Sequence, residues 1–171
     1  LWSDFLGAEG LVEPNKHKAL NEHYYQQYQQ GQLDIDEYLS FALAPMAGMT
    51  PETLSALQDK FLKKHVEPIL LDAAFDLLQA HRVNGDTLII ITATNTLVTQ
   101  PIADRLGVEH LIGCEAELKD GRYTGKPEGV PSFGEGKVQR IKTWCAVHQI
   151  LFEDAVFYSD SHNDLPLLRK V

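Results

Sequence analysis

Ala155-Val156-Phe157-Tyr158-Ser159-Asp160-Ser161-His162-Asn163-Asp164 is the stretch on which the fold turns. Its first half is apolar and β-favouring and predicts a buried strand over 155–159. Its second half places two carboxylates, Asp160 and Asp164, just past that strand end. Four residues apart, they can be aimed at one point where a hard cation sits. Mg²⁺ takes oxygen ligands and is held by one or two carboxylates plus substrate phosphate. In an open α/β sheet, ligands gather at the carboxyl ends of the strands. The stretch therefore predicts a parallel sheet with a Mg²⁺-assisted phosphate site at its edge.

Upstream, the same grammar recurs. Thr87 to Ile91 is a second apolar, β-branched strand, ending in Thr92-Ala93-Thr94-Asn95. A hydroxyl there, backed by the N-terminus of the next helix, is a phosphate seat. That helix runs from Leu97 to Leu106 and is closed by Gly107. Leu111 to Leu118 and Arg122 to Thr124 flank Asp120-Gly121, a hairpin turn signal. Gly136 to Gln149 is a helix with Lys137 in its first turn, where one ammonium can neutralise a phosphoryl oxygen. Ile69 to Arg82 forms a helix closed near Gly85. Strands alternating with helices give an α/β core over about 69–171.

The first 68 residues read differently, as an all-helical unit. Leu1 to Leu6 and Pro14 to Gln30 are helical, the second stopped by Gly31. Asp34 to Met49 follows, kinked or ended by Pro45. Thr50-Pro51-Glu52 then supplies an N-cap hydroxyl, Pro at N1 and an acid at the positive end of the dipole. Leu54, Leu57, Phe61, Leu62 and Val66 share one face of that helix, which marks core packing.

Composition bounds the function. The chain has 171 residues, 44% of them apolar, a net charge of -9 and a mean hydropathy of -0.21. An acidic chain of this kind lacks the basic face of a nucleic-acid binder. Its apolar runs are too short to span a bilayer. Two cysteines, Cys114 and Cys145, without CxxC spacing read as buried free thiols suited to a reducing cytoplasm. Seven histidines form no HExxH or Cys/His cluster. An EF-hand fails because Leu165 stands where the loop needs Gly. A P-loop fails because Pro131 replaces its first Gly and Val138 its Ser/Thr.

Gly31-Gln32-Leu33-Asp34, Thr92-Ala93-Thr94-Asn95, Glu135-Gly136-Lys137-Val138 and Tyr158 to Pro166 together resemble the haloacid dehalogenase superfamily of phosphohydrolases. The nearest resemblance is to the phosphoserine-phosphatase-like branch and its alternative histidinol-phosphate phosphatase subgroup. It implies a Rossmann-like parallel core with a helical cap, here about 1–68. It also implies a Mg²⁺-dependent phosphomonoesterase acting on a small phosphorylated metabolite. Thr92 is implied to hydrogen-bond a phosphoryl oxygen, with Ala93, Thr94 and Asn95 beside it on the substrate and the last two shaping the leaving-group pocket, although Asn95 serves equally well as the N-cap of the next helix. Lys137 is implied to stabilise charge, Asp160 to ligate the metal, and Asp164 to ligate it or orient Lys137. Lys126 is a rival for the lysine, disfavoured because no helix follows it directly. The family's first motif, Asp-x-Asp-x-Thr, supplies nucleophile and general acid; it is absent here and expected on a strand upstream of Leu1. Without that strand the sheet is expected to expose its edges.

Two departures bear on substrate. Ala42 stands where phosphoserine phosphatases carry a carboxylate-gripping arginine, and Ala93-Thr94 replaces their Gly-Gly. A carboxylate needs a bidentate partner, so an amino-alcohol phosphate such as histidinol phosphate suits the pattern better than phosphoserine. A second reading stays open: an inactive homologue that binds a phosphorylated ligand or a protein partner. The sequence leaves the oligomeric state undetermined.

Overall fold

The computed structural model describes residues 1–171. Four helices come first: α1 (Trp2–Ala8), α2 (Pro14–Gln29), α3 (Ile35–Leu43) and α4 (Pro51–Phe61). Then follow α5 (Asp72–Asn84), β1 (Ile89–Asn95), α6 (Thr96–Leu106), β2 (His110–Lys119), β3 (Arg122–Glu128), α7 (Glu135–His148) and the single turn α8 (Leu165–Leu168).

Local chemistry sets most boundaries. The Glu13, Asp34 and Thr50 side chains accept hydrogen bonds from the first turns of α2, α3 and α4, satisfying donors that lack helical partners. Gly85 and Gly107 close α5 and α6 in the left-handed conformation. Pro45 ends α3 early: the α-helix stops at Leu43 and a 3₁₀ turn carries the chain to Met46. The periodic face of α4 continues through a wider turn, Leu62–Val66, which keeps Val66 buried.

The sheet order is β1-β2-β3, with β1 parallel to β2 and β3 antiparallel to β2. The hairpin forms as Asp120-Gly121 predicts, both residues at positive φ (50° and 73°). Three apolar clusters hold the molecule together. Ile112, Val138, Ile141, Cys145 and Leu167 fill the space between the sheet and α7. Phe5, Phe61 and Val66 pack on Val98, and Leu43, Met46 and Leu54 on Leu97. The last two clusters join the N-terminal helices to α6. Backbone bonds from Gly48 N to Tyr123 O and from Tyr123 N to Met49 O add a second seam. The helical unit is thus seated on the core by shared apolar side chains.

Two expectations are corrected. The segment 155–159 is not a strand: it has no ladder partner and runs as coil. A strand needs a neighbour about 4.8 Å away. Here an apolar groove of about 450 Å³, lined by Ile89, Ile90 and Ile91 on one side and Val156, Phe157 and Tyr158 on the other, separates it from β1. The residues from Leu165 to Val171 follow a helical pattern in the sequence, of which the structure keeps one turn, Leu165–Leu168.

Candidate active site

β1 gives the site its first wall through an irregularity. Ile91 pairs with Ile112 and Asn95 with Cys114. Between those pairs β1 spends Thr92, Ala93 and Thr94 while β2 spends only Gly113. The surplus bends residues 92–94 out of the ladder, as bulges beside ligand sites do. The Thr94 amide donates to Thr92 Oγ1 at 3.1 Å, closing a small turn. Asn95 behaves differently. It is buried, and its Oδ1 accepts from Val98 N at 3.2 Å, which makes it the N-cap of α6.

The second wall is the start of α7. The loop before it folds back so tightly that any side chain at Gly136 would collide with the Pro131 carbonyl. This reversal carries Lys137 inward, where only 4% of the residue is exposed. The Lys137 ammonium donates to Asp164 Oδ1 at 2.5 Å, and Ser159 Oγ donates to Asp164 Oδ2 at 2.6 Å. Both oxygens of Asp164 are therefore engaged, which suits a carboxylate that orients Lys137. Lys137 also lies 5.8 Å over the Phe157 ring. Asp160 is exposed and borders the same cleft.

These pieces meet in one cavity of about 450 Å³. Thr92, Ala93, Thr94, Lys137, Asp160 and Asp164 all line it; Asn95 does not. Lys126, on β3, is exposed and lies outside it. No cluster of three His, Cys, Asp or Glu side chains arranged to hold a metal exists. Asp160 and Asp164 offer oxygen donors only, a set that fits Mg²⁺ when other ligands complete it.

The helical unit roofs the cleft with α2. Tyr28 Oη and Ser161 Oγ share a 2.5 Å hydrogen bond, and Asn163 Nδ2 donates to the Tyr28 carbonyl at 3.1 Å. The Asp160–Asp164 loop is thereby tied to α2. His162 lies beside Tyr28, with ring centroids 6.3 Å apart, and does not line the cavity.

Several supporting groups escaped the sequence. Cys114, buried in β2, donates to Ala93 O and accepts from Ser132 N, each at 3.2 Å. It ties the Thr92 bulge to the loop that delivers Lys137. Burial pushes its thiol pKa up, so it stays a donor, although the Ser132 amide pulls the other way. Arg140 bonds the Gly113 carbonyl and Glu115, and Glu115 accepts from Thr96 Oγ1 at 2.8 Å. A lone cysteine and a half-buried arginine carry no local pattern that would mark them. Ser159, inside the decisive stretch, could have been noticed as a hydroxyl between strand and carboxylates.

Several known proteins resemble this chain. The sequence pattern of the haloacid dehalogenase-like hydrolases matches residues 1–169. The Neisseria meningitidis serogroup C protein named histidinol-phosphatase is 38% identical over 174 residues, covering 99% of this chain and 78% of that protein. Phosphoserine phosphatase SerB1 of Mycobacterium tuberculosis is 32% identical over 130 residues, covering 76% of this chain but only 42% of that protein. A Bordetella pertussis Tohama I structure of unknown function superposes with a TM-score of 0.88 at 40% identity, over 98% of this chain and 77% of that one. A phosphoserine phosphatase solved as a phospho-aspartyl intermediate analogue shares the fold, with a TM-score of 0.68 at 18% identity, over 98% of this chain and 75% of that one. A threonine bulge, a buried lysine and an acidic loop around one cleft thus sit on a fold shared with phosphoserine phosphatases, and the chain belongs to the haloacid dehalogenase-like hydrolase family.

Proposed function

We propose that the full-length gene product is a Mg²⁺-dependent phosphomonoesterase of small metabolites that works through an aspartyl-phosphate. Its nucleophile and general acid would lie in an Asp-x-Asp-x-Thr segment upstream of Leu1. The observation that carries this reading is the convergence of Thr92, Lys137, Asp160 and Asp164 on one cleft. Histidinol phosphate is the first candidate substrate, by likeness to the Neisseria protein, and phosphoserine the second.

The chain's own residues have definite tasks. Thr92 Oγ1 already accepts from Thr94 N, which leaves its hydrogen to donate to a phosphoryl oxygen. Lys137 spends one N–H on Asp164 and keeps two for the phosphoryl group and the attacking carboxylate. Asp164 holds that ammonium in place, so no reorganisation is needed as charge develops. Asp160, with Asp164 behind it, would hold Mg²⁺, which when bound neutralises phosphoryl charge. Phosphoryl transfer asks a protein mainly for positioning and charge neutralisation, and these groups supply both. The arrangement suits the cytoplasm, where small phosphorylated metabolites occur.

Phosphate release by the full-length product from a panel of phosphomonoesters, with and without Mg²⁺, tests this reading. Release is expected with Mg²⁺ and its loss with EDTA. Asp160→Asn is expected to lower kcat at least about a hundredfold. Silence across the panel, or full activity in Asp160→Asn, overturns it.

A further inference from the structure

Arg140 stands one turn past Lys137 on α7, where residues three apart are neighbours on the helix surface. Its Nη1 donates to the Gly113 carbonyl and, at 3.3 Å, to the Val130 carbonyl. Its Nη2 donates to Glu115 Oε1 at 2.9 Å, and the other Glu115 oxygen accepts from Thr96 Oγ1 at 2.8 Å. Gly113 is the single β2 residue opposite the surplus at 92–94. Val130 belongs to the loop that turns back into α7, and Thr96 is the first residue of α6, two past the bulge. One side chain therefore reaches both walls of the cleft from behind. Neither Arg140 nor Glu115 lines the cavity.

The packing is close enough to transmit position. A Cβ at Gly113 would lie 2.8 Å from Thr96 Cγ2 and 3.0 Å from the Thr94 carbonyl oxygen, so β2 touches the bulge there. At the other wall, the close approach of Gly136 to the Pro131 carbonyl leaves no slack before Lys137. A planar guanidinium fixes the direction of its bonds as well as their length. The Arg140 and Glu115 side chains are 22% and 43% exposed, so solvent screens their attraction. What the pair contributes is orientation more than stability. Cys114 adds a second, uncharged tie between Ala93 and Ser132.

We propose that Arg140 is a positioning residue for phosphoryl transfer: it sets the separation of Thr92 and Lys137 across the cleft, and Glu115 holds its guanidinium for that task. This rests on the phosphomonoesterase reading of the cleft and adds a residue on which the lining groups depend. Thr92 and Lys137 are to meet oxygens of one phosphoryl group, so an error in their spacing falls on the transition state. A misplacement of about 1 Å costs on the order of a hundredfold in rate. Lysine at this position would keep the charge but put a point charge in place of the planar fork.

The test uses the Mg²⁺-loaded full-length product and the panel of phosphomonoesters. Arg140→Lys is expected to lower kcat at least about tenfold with KM little changed, the mark of an interaction made in the transition state. Affinity for orthovanadate, whose trigonal oxygens mimic the transferring phosphoryl group, is expected to fall by a similar factor. Affinity for inorganic phosphate is expected to change less than about threefold. Glu115→Ala, at a half-exposed side chain, is expected to fold and to lower kcat about fivefold. Glu115→Gln is expected to retain kcat, because its amide oxygen accepts from Arg140 while its NH₂ donates to Thr96 Oγ1. This pair decides the matter if Arg140→Lys does not fold. A purely structural role lowers the urea midpoint of Arg140→Lys but leaves kcat of the folded protein, and its preference for vanadate over phosphate, as in wild type. That result, or equal kcat in Glu115→Ala and Glu115→Gln, overturns the proposal. Orthovanadate also separates the two levels. Vanadate binding that weakens in Arg140→Lys, with no ester hydrolysed by the wild type, keeps the brace and sinks the enzyme reading. Equal hydrolysis by wild type and Arg140→Lys does the reverse.

Discussion

The two flanks of β1 are built on different terms. On one side lie β2 and then β3, joined by a two-residue turn and laddered apart from the bulge at 92–94 and an irregularity near Ala116. On the other, Val156 to Tyr158 lines an apolar groove and joins no ladder. The hairpin pairing forms from local signals in the sequence, whereas Val156 to Tyr158 makes no ladder bond here. The candidate site straddles this divide. Thr92 to Thr94 stand on the laddered flank and Asp160 on the other. Side-chain bonds hold the second flank instead: Ser159 to Asp164, Ser161 to Tyr28, and Tyr158 Oη to His81 Nε2 at 3.0 Å.

Severing the tie between the flanks is expected to have the largest effect. Lys137→Met keeps most of the volume but strands Asp164, which is 9% exposed. Breaking such a buried pair costs about 3–5 kcal/mol, and kcat of the full-length product is expected to fall at least about a hundredfold. Urea denaturation and phosphate release measure the two effects. Activity within tenfold of wild type would show that the flanks do not communicate through this pair.

A matched pair of truncations sharpens the comparison. Ile112→Ala, in the buried cluster under the laddered flank, is expected to cost roughly 3 kcal/mol. Phe157→Ala, half-buried on the other flank, is expected to cost roughly 1 kcal/mol. Similar shifts in denaturation midpoint for both would mean that the groove is filled and the second flank as well packed as the first.

The smallest effect concerns neither flank and serves as their control. His17 stacks on Phe41 and shares a 2.6 Å hydrogen bond with Ser3, and burial lowers its pKa below the usual 6.5. The unfolded chain therefore binds this proton more readily than the folded one. Stability from His17 is complete above about pH 6.5 and declines as pH falls from there toward its folded pKa. His17→Gln is expected to flatten that slope in urea midpoints measured between pH 7.5 and 5.5, with no change in kcat.

The division between the flanks also explains what the sequence disclosed. Caps, glycine stops and the Asp120-Gly121 turn act over a few residues, so helices and hairpin were legible to within a few positions. The segment 155–159 reads as a strand in the sequence and is coil in the structure. Within the site, Thr92, Lys137, Asp160 and Asp164 were legible as polar groups at strand ends and a helix start. Asn95 was ambiguous, and its amide is spent on capping α6. The hydrogen bonds of Cys114 and Tyr28 were hidden, since each reaches a segment far along the chain.

The bond between Tyr28 and Ser161 spans 133 residues. A ribosome adds about 5–20 residues per second, so Tyr28 emerges on the order of ten seconds before the residue that holds it. The N-terminal helices can gather around their own apolar side chains in that interval. The roof can settle over the acidic loop only when synthesis is almost finished. A ribosome stalled anywhere before Ser161 would release a chain with its helices formed and its cleft still open.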